Sequence, residues 1–120
     1  EDMPTETEML ALQEHFKDNP TVGYWHDFGH VQLKHNIHLL DHDDWLESMA
    51  PYLVGCHVHD VYWPERDHRV PLTGEIDFPK LLRHFAPKMP HTWELSPTRD
   101  PEQIKQSLTL WKEQFPETLA

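Results

Sequence analysis

The sequence is short of cysteine, glycine and positive charge. Its 120 residues include one cysteine, Cys56, and four glycines. A single thiol cannot form an internal disulfide, which excludes a disulfide-stabilised scaffold and favours a reducing cytoplasm. Lysine and arginine number 10 against 21 aspartates and glutamates, so the formal net charge is −11. Because such a chain repels the phosphate backbone, the composition argues against a nucleic-acid partner.

Apolar residues are also scarce, at 38% of the chain. Soluble domains usually contain about 45–50%, so we expect a modest core. No apolar run approaches the roughly 20 residues that a membrane-spanning helix needs, which argues against a membrane partner. The length suits one domain over 1–120. Since the chain starts at Glu1 without an initiator methionine, we expect it to be processed or excerpted from something longer.

Local patterns alternate between helix and strand along the chain. Thr5 and Glu8 form a capping-box pattern, which predicts a helix over 6–17. A strand is predicted over 22–27, with a turn at Gly29 and a polar, histidine-rich loop over 31–43. The later predicted elements are a helix over 44–50, a strand over 52–59, a loop over 60–76, a helix over 78–86 capped by Asp77, a strand over 92–95 and a helix after Asp100. Repeated β–α alternation predicts an α/β fold with a parallel sheet.

Three predicted strands end in side chains that can bind a metal, namely Asp27, His57 and Glu94. In parallel α/β folds, sites gather at the carboxyl ends of the strands. Carboxylates mixed with imidazole suit Mn²⁺, Zn²⁺, Fe²⁺ or Mg²⁺. The alternative is that each residue only caps a helix or pairs with a loop cation. We favour a shared metal site because all three lie at strand ends.

These strand ends resemble a known family. The stretches Asp27-Phe28-Gly29-His30, His57-Val58-His59-Asp60 and Trp93-Glu94-Leu95, with the loop from Asp67 to Asp77, are similar to the last strand ends of xylose-isomerase-like TIM barrels. Glu1-Asp2-Met3-Pro4 resembles the end of the preceding barrel strand. The resemblance implies a partial (β/α)8 TIM barrel, with the last three to four β/α units forming a C-terminal half-barrel over 1–120.

The resemblance also implies roles for individual residues. One divalent metal would be held by Glu1, Asp27, His57 and Glu94, and the two glutamates would move protons during catalysis. Asp67 and His68 match, more loosely, a loop pair that binds an additional metal in the endonuclease branch. The resemblance makes His30 a candidate for substrate binding. Further candidates are His59, which should face the site, and Trp25 and Trp63, which could stack on a sugar.

The implied activity is a metal-dependent isomerase or epimerase acting on a sugar or sugar phosphate. One rival is an endonuclease IV-like phosphodiester hydrolase (AP endonuclease family 2), and another is an inactive metal-binding fragment. Because the family barrel has eight strands, the chain would be part of a longer protein, a truncated gene product, or a half-barrel that completes itself by association into a homo-oligomer. A lone half-barrel would expose a sheet edge and an apolar face.

Strand alternation separates the remaining candidates. His26 should face away from the site and pack against a helix, and Cys56 should be a small buried hydrophobe. Asp60 either orients a histidine or caps a turn. In the predicted polar loop, we expect His35, His38 and His42 to be solvated.

Overall fold

A computed structural model describes residues 4–119, and in that range the chain forms five α-helices, two short 3-10 helices and five strands. The helices are α1 (Glu6–His15), α2 (Phe28–Asn36), α3 (His42–Met49), α4 (Phe78–Leu82) and α5 (Pro101–Gln114). The strands are β1 (Tyr24–Asp27), β2 (Leu53–Val58), β3 (Asp60–Tyr62), β4 (Arg66–Arg69) and β5 (His91–Trp93). No helix among residues 4–119 is both long enough and apolar enough to cross a membrane.

The main sheet is parallel, with the strand order β1-β2-β5. Asp27 lies opposite His57, and Val58 lies opposite Trp93. One residue beyond β5, the amide of Glu94 donates to the carbonyl of Val58 at 3.1 Å, which extends the pairing. The predicted mixed α/β fold with a parallel sheet is therefore confirmed.

The predicted loop over 31–43 is wrong for its first half, because α2 runs from Phe28 to Asn36. The Asp27 side chain accepts a hydrogen bond from the amide of His30 and so caps this helix. Phe28, Val31 and Asn36 are buried, whereas sequence periodicity gave little sign of an apolar face. Gly29 consequently lies in the first helical turn and does not form a separate turn after β1.

The predicted loop over 60–76 contains an antiparallel hairpin, β3–β4. Its base is held by the buried carboxylate of Asp60, which accepts hydrogen bonds from the amides of Val61, Gly74 and Ile76 at 2.8, 2.9 and 3.1 Å. Burial raises the pKa of Asp60 despite these hydrogen bonds. Of the two roles expected for Asp60, the structure shows the one at the turn.

The two faces of the sheet differ in exposure. On one face, Tyr24, His26, Cys56 and Val58 are buried and belong to the layer that packs against the helices. The other face carries Trp25, His57 and Thr92, and Trp25 remains 41% exposed. The predicted burial of His26 and Cys56 is confirmed, and burial raises the pKa of the Cys56 thiol to about 12.

A chain of buried hydrogen bonds runs beneath the sheet. The hydroxyl of Tyr24 lies 2.9 Å from His26 Nδ1, and His26 Nε2 lies 3.0 Å from His42 Nε2. His42 Nδ1 lies 2.8 Å from Gln32 Oε1, an oxygen that can only accept. The chain is therefore satisfied when His42 carries its proton on Nδ1 and His26 carries its proton on Nε2. His42 is 3% exposed, so the prediction that it is solvated is wrong.

Burial sets the charge of both histidines. Burial, and next the neighbouring His42, holds the pKa of His26 well below its ordinary 6.5. Burial, with a smaller contribution from His35, lowers the pKa of His42 from 6.5 to about 3. The folded protein thus binds fewer protons than the unfolded chain below pH 6.5, so stability is fully present above that pH and falls as the pH drops.

We expect the free energy of unfolding to fall by about 1.4 kcal/mol per histidine for each pH unit below about 6. Urea unfolding in the presence of a chelator, at pH 7.5, 6 and 5, measures this dependence. Replacing His42 with glutamine removes one titrating group and should lower the slope by about half. An unchanged slope in His42→Gln would contradict the conclusion that buried His42 contributes to the pH dependence.

Candidate metal centre

Asp27, His57 and Glu94 meet at the carboxyl ends of the three parallel strands. His57 Nδ1 lies 3.5 Å from Asp27 Oδ2 and 3.5 Å from Glu94 Oε2. The pairing of β1 with β2 sets the first contact, and the extension of β5 to Glu94 sets the second. The three strand ends thus bring one imidazole between two carboxylates.

The spacing of His57 from each carboxylate suits two ligands of one divalent cation. Ligands about 2.0–2.2 Å from one ion lie roughly 3.0–3.5 Å from each other, and His57 Nδ1 lies 3.5 Å from an oxygen of Asp27 and from an oxygen of Glu94. Two carboxylates with one imidazole suit Mn²⁺, Zn²⁺, Fe²⁺ or Mg²⁺. The side chains of Asp27, His57 and Glu94 are 13%, 37% and 43% exposed, so an ion can reach them from solvent. Asp27 and Glu94, together with a neighbouring histidine, could hold a metal ion.

The two oxygens of Asp27 have different partners. Oδ1 accepts hydrogen bonds from the His30 amide and from His59 Nε2, both at 2.9 Å. Oδ2 faces His30 Nδ1 at 3.2 Å and His57 Nδ1 at 3.5 Å. Burial opposes the charged carboxylate, but the hydrogen bonds and charges of His59 and His30 outweigh it and lower the pKa of Asp27 to about 2. Asp27 is therefore an anion at neutral pH, with Oδ2 directed at the centre.

His59 is fully buried beside this carboxylate. Its Nδ1 accepts a hydrogen bond from the amide of His68 at 2.8 Å, so its proton lies on Nε2 and is donated to Asp27. Asp27, His59 and Glu94 form one set whose ligand atoms all lie within 4.8 Å of one another, and His30, His59 and His68 form a second such set. Both nitrogens of His59 already bond to the protein, whereas His57 Nδ1 lies 3.5 Å from an oxygen of each carboxylate, so His57 is the candidate for the third ligand.

The β3–β4 hairpin adds Asp67 and His68 to the same region. Asp67 Oδ2 lies 3.6 Å from His30 Nε2, and His68 Nε2 lies 3.6 Å from Glu94 Oε2. His68 has a left-handed backbone conformation, with a φ of 52°. The structure therefore brings together Asp27, His30, His57, His59, Asp67, His68 and Glu94.

A positive φ is unfavourable for a residue with a Cβ, so the surrounding contacts must hold His68 in this conformation. Its amide bonds to His59, and its ring stacks on the His59 ring with the centroids 4.3 Å apart. Sequence reasoning missed this backbone contact, because no residue type signals it.

The remaining candidates lie at the margin of the centre or outside the described residues. The ring of Trp25 meets the ring of His57 edge to face, with centroids 5.5 Å apart. Trp63 lies at the turn of the hairpin and is 66% exposed. Glu1, the fourth predicted ligand, falls outside residues 4–119.

Comparison with protein-family models, curated proteins and solved structures finds no match to this chain. The assignment of this centre therefore depends on its own geometry and chemistry.

We expect the chain to bind Mn²⁺ or Zn²⁺ and Asp27→Ala to abolish binding, because the variant loses both a ligand and the anchor of His59. Calorimetric titration gives the affinity and the number of ions per chain. His38→Ala is the matched control, since that histidine is exposed and outside the cluster. Retained affinity in Asp27→Ala would contradict the ligand assignment.

Gly29 offers a separate test of the packing around His59. A Cβ at Gly29 would collide with the His59 ring. In an unobstructed helix, replacing glycine with alanine stabilises by about 0.5–1 kcal/mol. We expect Gly29→Ala to destabilise instead by about 1–3 kcal/mol, the usual cost of overpacking. Urea unfolding decides the sign, and a gain in stability would show that His59 is not fixed against this helix.

Proposed function

We propose that this chain is the C-terminal half of a xylose-isomerase-like (β/α)8 barrel. In this proposal it carries the metal site of a sugar or sugar-phosphate isomerase or epimerase. The observation that carries the proposal is the meeting of Asp27, His57 and Glu94 at three parallel strand ends, where His57 Nδ1 lies 3.5 Å from an oxygen of each carboxylate. Sites of this kind of barrel lie at that end of the strands.

The architecture of the sheet supports the same proposal. Purely parallel sheets are normally covered on both faces, whereas here one face carries the partly exposed Trp25, His57 and Thr92. Such a face fits the interior of a barrel, which is closed by further strands. β1 and β5 form the edges of the three-stranded sheet and offer pairing positions for those strands. The strands would come from a longer chain or from a second copy.

The proposed chemistry is a proton transfer between sugar carbons. A divalent cation held by Asp27, His57 and Glu94 would polarise the carbonyl or hydroxyl oxygens of the sugar. Glu94 takes a proton from the carbon next to the carbonyl, which leaves an ene-diolate. A second acid, predicted to be Glu1, returns a proton to the neighbouring carbon or to the opposite face. Trp25, beside His57, offers an apolar ring surface for the sugar.

One observation favours the endonuclease IV-like alternative. Asp67 and His68 approach His30 and Glu94 to 3.6 Å, so the hairpin brings further potential ligands to the centre. Hydrolysis of a phosphodiester by several metals would need such extra ligands. The net charge of −11 opposes binding to a nucleic acid. One ion per chain in the titration favours the isomerase proposal, and two or three ions favour the hydrolase.

The proposed proton transfer predicts exchange of sugar hydrogens with solvent. We expect the Mn²⁺-loaded chain in D₂O to introduce deuterium beside the carbonyl of one member of a panel of ketoses, aldoses and their phosphates. Proton NMR measures the loss of the corresponding carbon-bound hydrogen. Glu94→Gln should abolish the exchange, because the amide cannot accept the proton.

Glu102→Gln is the matched control, since Glu102 is an exposed residue in the first turn of α5. Equal exchange rates in Glu94→Gln and the native chain would contradict the role of Glu94. A metal-loaded chain that exchanges no sugar in the panel would count against the isomerase proposal for this chain.

A further inference from the structure

We infer that His59 is a positioning residue that ties the β3–β4 hairpin to the metal-binding carboxylate of Asp27. The inference rests on the proposed metal centre and adds a coupling between that centre and the hairpin. His59 would then neither bind the metal nor touch the substrate. Its position between Asp27 and the backbone of His68 indicates this role.

Both nitrogens of His59 are committed to protein groups. Nδ1 accepts from the His68 amide at 2.8 Å, and Nε2 donates to Asp27 Oδ1 at 2.9 Å. The ring has no exposed surface, and Gly29 packs so closely on it that a Cβ there would collide. A ring enclosed in this way has one tautomer and one orientation. Histidine that bonds a ligating carboxylate commonly fixes the geometry of a metal site.

The contact between His59 and His68 determines where the hairpin lies. The φ of His68 is 52°, an unfavourable value that the His59 hydrogen bond and ring stacking help to maintain. This conformation directs the His68 ring toward Glu94 and places Asp67 near His30. Without the bond to His59, the hairpin would lose a contact that holds these two side chains at the centre.

The two oxygens of Asp27 have different partners, and this links the hairpin to the proposed metal centre. Oδ1 receives the hydrogen bond from His59, whereas Oδ2 faces His57 and remains available to a cation. An ion on Oδ2 fixes the carboxylate and thereby the acceptor of His59. Since such coupling is reciprocal, an ion should stabilise the hairpin and an ordered hairpin should favour the ion.

Two variants of His59 test its hydrogen bond to Asp27 separately from its hydrogen bond with the His68 amide. His59→Gln can still donate an N–H to Asp27 but has no acceptor at the position of Nδ1. His59→Asn can offer an oxygen to the His68 amide but is too short to reach Asp27. Binding of Mn²⁺ by calorimetry and hydrogen exchange of the His68 amide are measured for each variant, with and without Mn²⁺.

We expect His59→Gln to bind Mn²⁺ within about threefold of the native affinity and to lose protection of the His68 amide. In His59→Asn, the amide should stay protected while the affinity falls about 10–100-fold, the usual cost of losing such a partner. Mn²⁺ should slow exchange at His68 in the native chain and in neither variant. His84→Gln is the control, because it makes the same replacement at a histidine that bonds Asp43, away from these contacts.

Native affinity together with native protection at His68 in both variants would overturn the inference. If the native chain binds no Mn²⁺, the proposed metal centre fails, while exchange at His68 without metal still tests the bond to His59. Should the variants not fold, ¹⁵N NMR of the native chain decides. The His59 ring should carry its proton on Nε2 and keep that state when Zn²⁺ is added, and coordination of Zn²⁺ by His59 would overturn the inference.

Discussion

The carboxylate of Asp27 is the group on which the local architecture depends. It ends β1, caps α2 through the His30 amide and accepts the hydrogen bond from His59. Burial opposes the charged carboxylate, but the hydrogen bonds and charges of His59 and His30 outweigh it, since the pKa of Asp27 is lowered. Asp27 thus links β1 to α2 directly and to the hairpin through His59, and its second oxygen faces His57.

Two histidine systems lie on opposite faces of the main sheet and behave differently. His26 belongs to a closed chain of buried hydrogen bonds in which every donor has an acceptor, and desolvation keeps its ring neutral. His57 is partly exposed and lies between two carboxylates. The pleat of β1 and β2 makes this separation, because alternate residues face the helices or the centre. The first system stabilises the fold, and the second is available to a ligand.

The sequence predicted the features that follow from periodicity and missed those that follow from tertiary contacts. Strand alternation separated His26 from Asp27, and β–α alternation indicated a parallel sheet. The helix after Asp27 was missed because its buried face includes the polar residues Gln32 and Asn36, which apolar periodicity does not register. The hairpin was missed because the Asp60 carboxylate binds backbone amides distant in sequence. For the same reason, no sequence pattern predicted the contact between His59 and His68.

The exposure of Glu94 and His57 has a kinetic consequence. With 43% and 37% of these side chains open to solvent, a cation bound here would keep several water molecules in its coordination sphere. Its departure would require no opening of the fold, so release would be governed by ligand exchange at the ion itself. A chelator in solution would therefore remove the ion quickly from this partly exposed centre. If further strands covered the centre, the same donors would release the ion slowly.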